Sequence, residues 1–172
     1  MSTASTERKT VFATPWFQVQ EAAGSGKYPN YTIKSPDFVC IVAVTAQDEL
    51  LLVRQFRHAI GEMTLELPAG HVDEGETPEQ SARKELLEET GYVADRFELL
   101  ASLSPSTARY TNRLWCYFAG NARPSPDAVV EAGMNCVRWS KGLKPLLEEP
   151  EFYSCGNWAA LMAVVAQNKM KL

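Results

Sequence analysis

The sequence predicts an α/β fold, in which helices cover both faces of a mixed β-sheet to give an α/β/α sandwich with a small N-terminal β-hairpin unit. One observation is the continuous apolar run at residues 38–44, which is typical of a strand buried on both faces. Another is that helical segments occur both between the predicted strands, at residues 78–90, and after them. With 172 residues, the chain has the length of one ordinary domain.

The N-terminal part of the chain is predicted to form a strand unit over residues 11–36. Residues 1–10 have the composition of a disordered segment. Residues 16–20 alternate apolar and polar side chains as a half-buried strand does, a Gly-Ser-Gly turn follows, and residues 28–34 are expected to pair back as a hairpin. The main domain is then expected over residues 37–172.

Further strands and helices are predicted along the main domain. Strands are expected at residues 50–53, 97–103 and 113–118. Helices are expected at residues 143–149 and 158–168, the second with an apolar stripe that packs on the sheet. The stripe consists of Trp158, Leu161, Met162 and Val165.

The helix at residues 78–90 has both of its ends marked in the sequence. Thr77 is the expected N-cap, Pro78 suits the first helical position, and Gln80 completes a capping box with Thr77. Gly91 provides the C-terminal stop. These boundaries place residues 78–90 in one helix, so residues three and four positions apart share a face.

Three carboxylates share one patch of this helix, because Glu85, Glu88 and Glu89 stand at positions i, i+3 and i+4. Like charges at this spacing destabilise a helix by roughly 0.2–0.5 kcal/mol per pair, a penalty that a bound cation offsets. Carboxylates without histidine or cysteine partners suit a hard ion, Mg²⁺ or Mn²⁺. The alternative interpretation is a solvated acidic face without a ligand.

The bulk composition argues against several classes of partner. A formal net charge of −4 is unsuited to holding nucleic acid or an anionic membrane. The N-terminus lacks the apolar core of a signal peptide, and no apolar run approaches the length of a membrane span, so a cytoplasmic protein is expected. The cysteines lack Cys-x-x-Cys spacing and are expected to be reduced core residues: Cys40, Cys116, Cys136 and Cys155.

The segment from Gly70 to Tyr92 reads Gly-x5-Glu-x7-Lys-Glu-Leu-x-Glu-Glu-x-Gly-Tyr. It closely resembles the Nudix box, the signature of the Nudix pyrophosphohydrolases, with one departure, because Lys84 stands where the family usually has Arg. In the family that Arg holds a box glutamate through its planar fork, which an ammonium group replaces as a point charge. The resemblance also implies the α/β/α sandwich.

Two motifs before the box resemble the ADP-ribose pyrophosphatase branch of that family: Arg-Gln-Phe-Arg at residues 54–57 and Glu-Leu-Pro-Ala-Gly at residues 66–70. The resemblance implies that Arg57 binds the substrate's phosphates and that Arg54 also contacts substrate. A guanidinium independently suits phosphate because it offers paired donors, and the alternative for Arg57 is a surface ion pair. The implied metal ligands are the carbonyl of Ala69 and the carboxylates of Glu85, Glu88 and Glu89.

The catalytic base is sought outside the box. The polar loop at residues 104–112 has no carboxylate, so the nearest downstream acids are Asp127 and Glu131. Family members often take a late glutamate from about this region, and Glu131 is therefore the choice, with an ordinary exposed acid as the alternative. His58 and His71 have no partner at metal-ligand spacing and are expected to form local hydrogen bonds.

Aromatic residues of the N-terminal strands commonly sandwich the base in the branch that the chain resembles. Trp16 and Tyr31 fall near the matching places, and flat rings suit a purine face. Packing within the hairpin is the alternative. Arg109 and Tyr110, in the polar loop, are also expected to touch substrate.

The reaction implied by the resemblance is the Mg²⁺-dependent or Mn²⁺-dependent hydrolysis of a nucleoside diphosphate sugar, with ADP-ribose split into AMP and ribose 5-phosphate. The N-terminal unit joins two subunits in such enzymes, so a homodimer is implied. Two alternatives stay open. One is a hydrolase of dinucleoside polyphosphates or nucleoside triphosphates, and the other is a module that senses nucleotide sugars without cleaving them, as Lys84 and the acid-free loop suggest.

Overall fold

Two parallel strands, the buried β4 (Phe38–Thr45) and the partly buried β10 (Leu114–Pro124), run through the centre of the fold. The structure is a computed structural model that describes residues 8–24 and 27–172. The other strands in these residues are β1 (Arg8–Ala13), β2 (Gln18–Ala22), β3 (Asn30–Lys34), β5 (Leu50–Arg57), β6 (Glu62–Glu66), β7 (Ala69–His71), β8 (Tyr92–Val93), β9 (Glu98–Leu103) and β11 (Asn135–Trp139). The helices are α1 (Pro78–Thr90), α2 (Leu143–Leu147) and α3 (Cys155–Ala166).

The main sheet is mixed and has the order β11-β5-β4-β10-β8. Strand β6 pairs with β5, β7 pairs with β4, and β9 pairs with β10, all antiparallel. The short strand β7 is important for the site, because its pairing with β4 places Ala69 opposite Cys40 and Gly70 opposite Val39.

The central strand β4 is buried on both faces, as the apolar run at residues 38–44 predicted. Val39, Ile41 and Ala43 face a core that includes Leu86 of α1. The alternating residues Cys40, Val42 and Val44 face a second core, formed with α2 and α3. Helices therefore cover both sides of the mixed sheet, and the predicted α/β/α sandwich is confirmed.

Several elements are longer than predicted, and others were missed. Strand β5 continues past residue 53 to Arg57, and β10 continues past residue 118 to Pro124. Strands β6, β7, β8 and β11 were not predicted; they have two to five residues and are formed by pairing with longer strands. Such short elements carry too few residues for a periodic pattern.

The N-terminal unit is a three-stranded antiparallel sheet, in the order β1-β2-β3, where a hairpin was expected. The predicted β2–β3 pairing is present, with Val19 opposite Ile33. The expectation of disorder is wrong at residues 8–10, which begin β1 and pair with β2. Residues 1–7 and two residues of the predicted turn, Ser25 and Gly26, lie outside the described part of the chain.

The N-terminal sheet contacts the main domain through the polar loop that precedes β10. The amide of Ile33 donates to the carbonyl of Arg109 at 2.7 Å, and the amide of Thr111 donates to the carbonyl of Ile33 at 3.0 Å. These two backbone bonds place the N-terminal aromatic residues beside the loop.

The predicted apolar stripe of α3 is rotated from the one observed. The helix buries Asn157, Ala160, Leu161 and Val164, whereas Trp158 and Met162 are 39% and 38% exposed. Residues 158–166 are apolar throughout, so their periodicity does not indicate which face packs on the sheet. Leu161 is buried against the sheet as expected, and the other buried residues of this face are Asn157, Ala160 and Val164.

The cysteines differ in their exposure. Cys40 and Cys116 are buried as predicted, Cys136 is half-buried, and Cys155 is exposed at the start of α3, which corrects the expectation that it lies in the core. All four are free thiols. Within the described residues, no helix combines the length and apolar character that crossing a bilayer requires.

Candidate functional site

A cavity of about 380 Å³ lies where the C-terminal half of α1, strand β7, the β5–β6 pair and the first turn of α3 meet. Residues from all of these elements line it, together with the segment before β11. The lining residues are Phe38, Val39, Cys40, Gln55, Arg57, Glu66, Ala69, Gly70, His71, Asp73, Lys84, Glu85, Glu89, Leu114, Glu131, Met134, Ser154, Gly156 and Asn157.

Helix α1 is fixed at both ends as its sequence predicts. The amide of Gln80 donates to Thr77 Oγ1 at 3.3 Å, and the amide of Thr77 donates to Gln80 Oε1 at 2.8 Å, which forms the capping box. Gly91 ends the helix with φ of 77°, the left-handed conformation that favours glycine. Because Leu86 is fully buried against the sheet, the neighbouring carboxylates are held at the edge of the cavity.

Glu89 is the most buried carboxylate of the cavity, with 3% of its surface exposed. Its Oε2 accepts a hydrogen bond from the amide of Ala69 at 2.9 Å. Burial raises the pKa of Glu89 to about 8 in spite of this bond, and the nearby charge of Glu85 acts in the same direction. When Glu89 is ionised, the nearby positive charge and the Ala69 amide do not offset the cost of burying its carboxylate.

Glu85 lies against the backbone of Gly70. A Cβ atom at residue 70 would be 2.0 Å from the Glu85 Cδ and Oε1 atoms, so a residue other than glycine would displace the carboxylate. Burial, together with the nearby charge of Glu88, raises the pKa of Glu85 to about 7. The lack of a side chain at Gly70 thus allows Glu85 to reach the same backbone segment as Glu89.

The Glu85–Glu89 pair and the Ala69–Gly70 backbone fit a hard divalent cation, since they offer oxygen donors with unneutralised negative charge. Within residues 8–24 and 27–172, no group of three acidic, histidine or cysteine side chains is already close enough to enclose an ion. Glu88 is half-buried and lines a separate hollow with Val129 and Glu131 instead of this cavity. The structure therefore brings Glu85 and Glu89 to the cavity and leaves Glu88 beside it.

Glu131, the acid selected as base, lines both the cavity and the hollow beside Glu88. Its amide donates to the carbonyl of Glu88 at 2.8 Å, which attaches the segment before β11 to the end of α1. Its charge contributes to the raised pKa values of Glu85 and Glu89. Asp127, the other candidate, does not line this cavity.

Arg57 lines the cavity and forms the ion pair that was its alternative interpretation, and its contact with phosphate stays a prediction. Its Nε donates to Glu66 Oε1 at 2.8 Å and its Nη2 donates to Glu66 Oε2 at 2.6 Å. Burial opposes ionisation of Glu66, but the bonds from Arg57 and Thr64 outweigh it and lower the pKa of Glu66. Sequence reasoning assigned Glu66 no role, because its pairing across the β5–β6 hairpin has no local signal.

Lys84, which departs from the box, pairs with Asp73 through a hydrogen-bonded ion pair. The contact raises the pKa of Lys84 and lowers the pKa of Asp73. The ammonium group is thus engaged by the loop before α1 instead of by a box glutamate. This loop acid was also missed in the sequence.

An apolar pocket of about 260 Å³ adjoins the cavity and shares Phe38 and His71 with it. The rings of Trp16 and His71 are stacked, with centroids 6.2 Å apart and 25° between the planes. His71 was expected to form hydrogen bonds, but its ring packs between Trp16 and Phe38. The pocket is lined by Trp16, Phe17, Ile33, Ser35, Phe38, His71 and Tyr110.

Other predicted substrate contacts lie outside these two cavities. The hydroxyl of Tyr31 donates to Glu21 Oε2 at 2.8 Å, and Arg54 pairs with Glu151 at 2.8 Å. Arg109 is exposed and contacts the N-terminal sheet through its carbonyl. Trp16 and Tyr110 are therefore the predicted ring residues that the structure brings to the pocket.

A family model, several known proteins and a solved structure are similar to this chain. The family model of the NUDIX domain matches residues 34–170. An ADP-ribose pyrophosphatase of Bacillus subtilis (strain 168) is 40% identical over 80 residues, which are 46% of this chain and 40% of that protein's length. The ADP compounds hydrolase NudE of Escherichia coli (strain K12) is 31% identical over 130 residues, which are 73% of this chain and 68% of that protein. A crystal structure of an ADP compounds hydrolase superposes with a TM-score of 0.79 and 26% identity, covering 95% of this chain and 92% of that one.

We predict that Glu89→Gln stabilises the metal-free protein, and more so at pH 8 than at pH 5. The fold raises the pKa of Glu89 from 4.5 to about 8, so ionisation penalises the folded state increasingly as the pH rises between these values. Glutamine keeps an acceptor for the Ala69 amide without the charge. The expected gain in unfolding free energy at pH 8 is on the order of 2 kcal/mol, measured by urea unfolding in EDTA.

Glu79→Gln is the matched control, because Glu79 lies on the first turn of the same helix and is 46% exposed. Its loss should change the free energy of unfolding by less than about 1 kcal/mol at either pH. If Glu89→Gln had the same free energy of unfolding as wild type from pH 5 to pH 8, the buried charge would not destabilise the folded state.

Proposed function

Because this chain belongs to the Nudix family, we propose that it hydrolyses the diphosphate bond of a nucleoside diphosphate sugar, with ADP-ribose split into AMP and ribose 5-phosphate. The observation that carries the proposal is the carboxylate pair of half-buried Glu85 and buried Glu89, which faces the same cavity as Arg57. The names of the similar proteins support ADP-containing compounds as the substrate class.

The two adjoining pockets suit the two ends of such a substrate. The apolar pocket offers the exposed ring of Trp16, which is 70% accessible, and the ring of Tyr110, both suited to the face of a purine. The larger cavity offers charged groups suited to a diphosphate. Phe38 and His71 line both, so a ligand can extend from one into the other.

The residues that would hold Mg²⁺ or Mn²⁺ are Glu85 and Glu89, together with the carbonyl of Ala69, and Glu88 would support them from the adjacent hollow. When bound, such an ion neutralises phosphate oxygens and lowers the pKa of water. Glu66 holds the guanidinium of Arg57 by two bonds, so the remaining N–H groups of Arg57 are directed by that contact and are available to phosphate oxygens.

Glu131 is the group that we assign to the attacking water. Its carboxylate would accept the water's proton while the water oxygen bonds to phosphorus. The bridging P–O bond breaks, and its electron pair leaves with the second phosphate.

The N-terminal sheet also supports the proposed homodimer, because Val11 and Phe12 of β1 are 45% and 54% exposed.

A second candidate function is a sensing module that binds nucleotide sugars without cleaving them. The observation that favours it is the ion pair of Lys84 with Asp73, because a lysine stands where the family motif has arginine and its ammonium group is hydrogen-bonded to this loop acid. It predicts saturable binding of ADP-ribose with no product.

Product identification separates these functions. Purified protein with Mg²⁺ should convert ADP-ribose to AMP and ribose 5-phosphate, whereas Glu89→Gln should lose activity by about 100-fold or more. Glu131→Gln should lower kcat with little change in KM if it acts on the water. Release of pyrophosphate or a nucleoside polyphosphate from other substrates would favour the other hydrolase class, and binding without any product would favour the sensing module.

The ring of Trp16 should contribute to binding of the base. We expect Trp16→Ala to raise KM for ADP-ribose by about 2–10-fold with kcat nearly unchanged, because aromatic contacts are worth about 0.5–1.5 kcal/mol. Tyr31→Ala is the matched control, since its ring lies outside the apolar pocket. Steady-state kinetics checks both, and a larger effect at Tyr31 than at Trp16 would contradict the assignment of the pocket.

A further inference from the structure

The first turn of α3 forms a part of the cavity wall to which the proposed chemistry assigns no role. Ser154, Gly156 and Asn157 all line the cavity. Ser154 is the N-cap of this 12-residue helix, and its side chain makes no capping hydrogen bond. The first amide N–H groups of the helix therefore have neither an intrahelical nor a side-chain cap partner.

Asn157 provides a second donor at the same place. It is 4% exposed, although it lines the cavity. Its Oδ1 accepts the thiol of Cys40, with 3.8 Å between Sγ and Oδ1. Across residues 8–24 and 27–172, Nδ2 has no hydrogen-bond partner. A buried amide donor without a partner destabilises a fold, so an acceptor supplied by a ligand would satisfy it.

Uncharged donors would complement the charged groups of the cavity. Among the described lining residues, the lysine and arginine side chains are both paired, Arg57 with Glu66 and Lys84 with Asp73. The Glu85–Glu89 pair adds further negative charge. A diphosphate in this cavity thus meets no unpaired lysine or arginine among those residues, and the oxygens that Arg57 does not contact can accept hydrogen bonds from neutral donors. The N-terminus of a helix and a side-chain amide are both donors of this kind.

We propose that Asn157 Nδ2 and the first-turn amides of α3 form a subsite for non-bridging oxygens of the substrate's diphosphate. The inference rests on the proposed function, in which a diphosphate ester is the ligand. Asn157 contacts the ligand in this subsite and exchanges no proton with it. Gly156 contributes by close packing, because a Cβ atom there would lie 3.2 Å from Leu114 Cδ2.

The test measures binding of inorganic pyrophosphate in the presence of Mg²⁺ by calorimetry, with melting temperature as a second readout. Asn157→Leu, which is similar in shape but has no amide, should weaken binding by about 10-fold. Its melting temperature should equal or exceed that of wild type, because the unmet donor is gone. Asn157→Asp keeps an acceptor for Cys40 and adds a charge, so it should weaken binding more than Asn157→Leu does.

Thr32→Val is the matched control, since Thr32 Oγ1 is also buried without a partner and does not line the cavity. It should bind pyrophosphate as wild type does. Wild-type affinity in Asn157→Leu overturns the inference, as does an equal loss in Thr32→Val or a wild-type protein that does not bind pyrophosphate. If Asn157→Leu fails to fold, Asn157→Ala, which also removes the amide without adding a charge, decides in the same way.

The outcome for this subsite is separable from that for the proposed reaction. A wild type that binds pyrophosphate through Asn157 but releases no product from ADP-ribose keeps the subsite and refutes the hydrolysis. A wild type that cleaves ADP-ribose, with unchanged KM and pyrophosphate affinity in Asn157→Leu, keeps the hydrolysis and refutes the subsite.

Discussion

The contact between the C-terminal half of α1 and strand β7 is the constraint on which the site depends. Burial of Leu86 and the amide of Ala69 hold Glu89 in a place where its carboxylate is desolvated, and Gly70 leaves the space that Glu85 occupies. The resulting pKa values of about 7 and about 8 show that the fold maintains two carboxylates at a cost to its own stability. A cation that neutralised them would recover that free energy, so binding of such a cation would be coupled to folding.

The arginine and lysine side chains that line the cavity are each held by an acidic partner. Arg57 is oriented by Glu66, and Lys84 is engaged by Asp73. Each of these ion pairs fixes a long side chain but leaves little net positive charge for an anionic ligand. The cavity therefore has uncompensated negative charge at Glu85 and Glu89 and neutral donors at α3. This combination suits a ligand that binds together with a divalent ion.

The sequence predicted those features that depend on local chemistry. The caps of α1 and the doubly buried strand β4 follow from residue types at fixed spacing, and the structure has both. The buried face of α3 was not predictable, because its apolar residues surround the helix. The partners of Arg57 and Lys84 were not predictable either, since chain folding brings them together. The sequence did not indicate a role for Asn157, because the predicted helix began at residue 158 and the observed helix begins at Cys155.

Binding of Mn²⁺, followed by electron paramagnetic resonance, tests the central claim most directly because it does not depend on knowing the substrate. Wild type should bind the ion at a saturable site, and Glu89→Gln should weaken that site by about 10–100-fold or more, whereas Glu79→Gln on the same helix should bind as wild type does. Equal Mn²⁺ affinity in wild type and Glu89→Gln would contradict the account, because the buried carboxylate of Glu89 would then have no part in holding a cation.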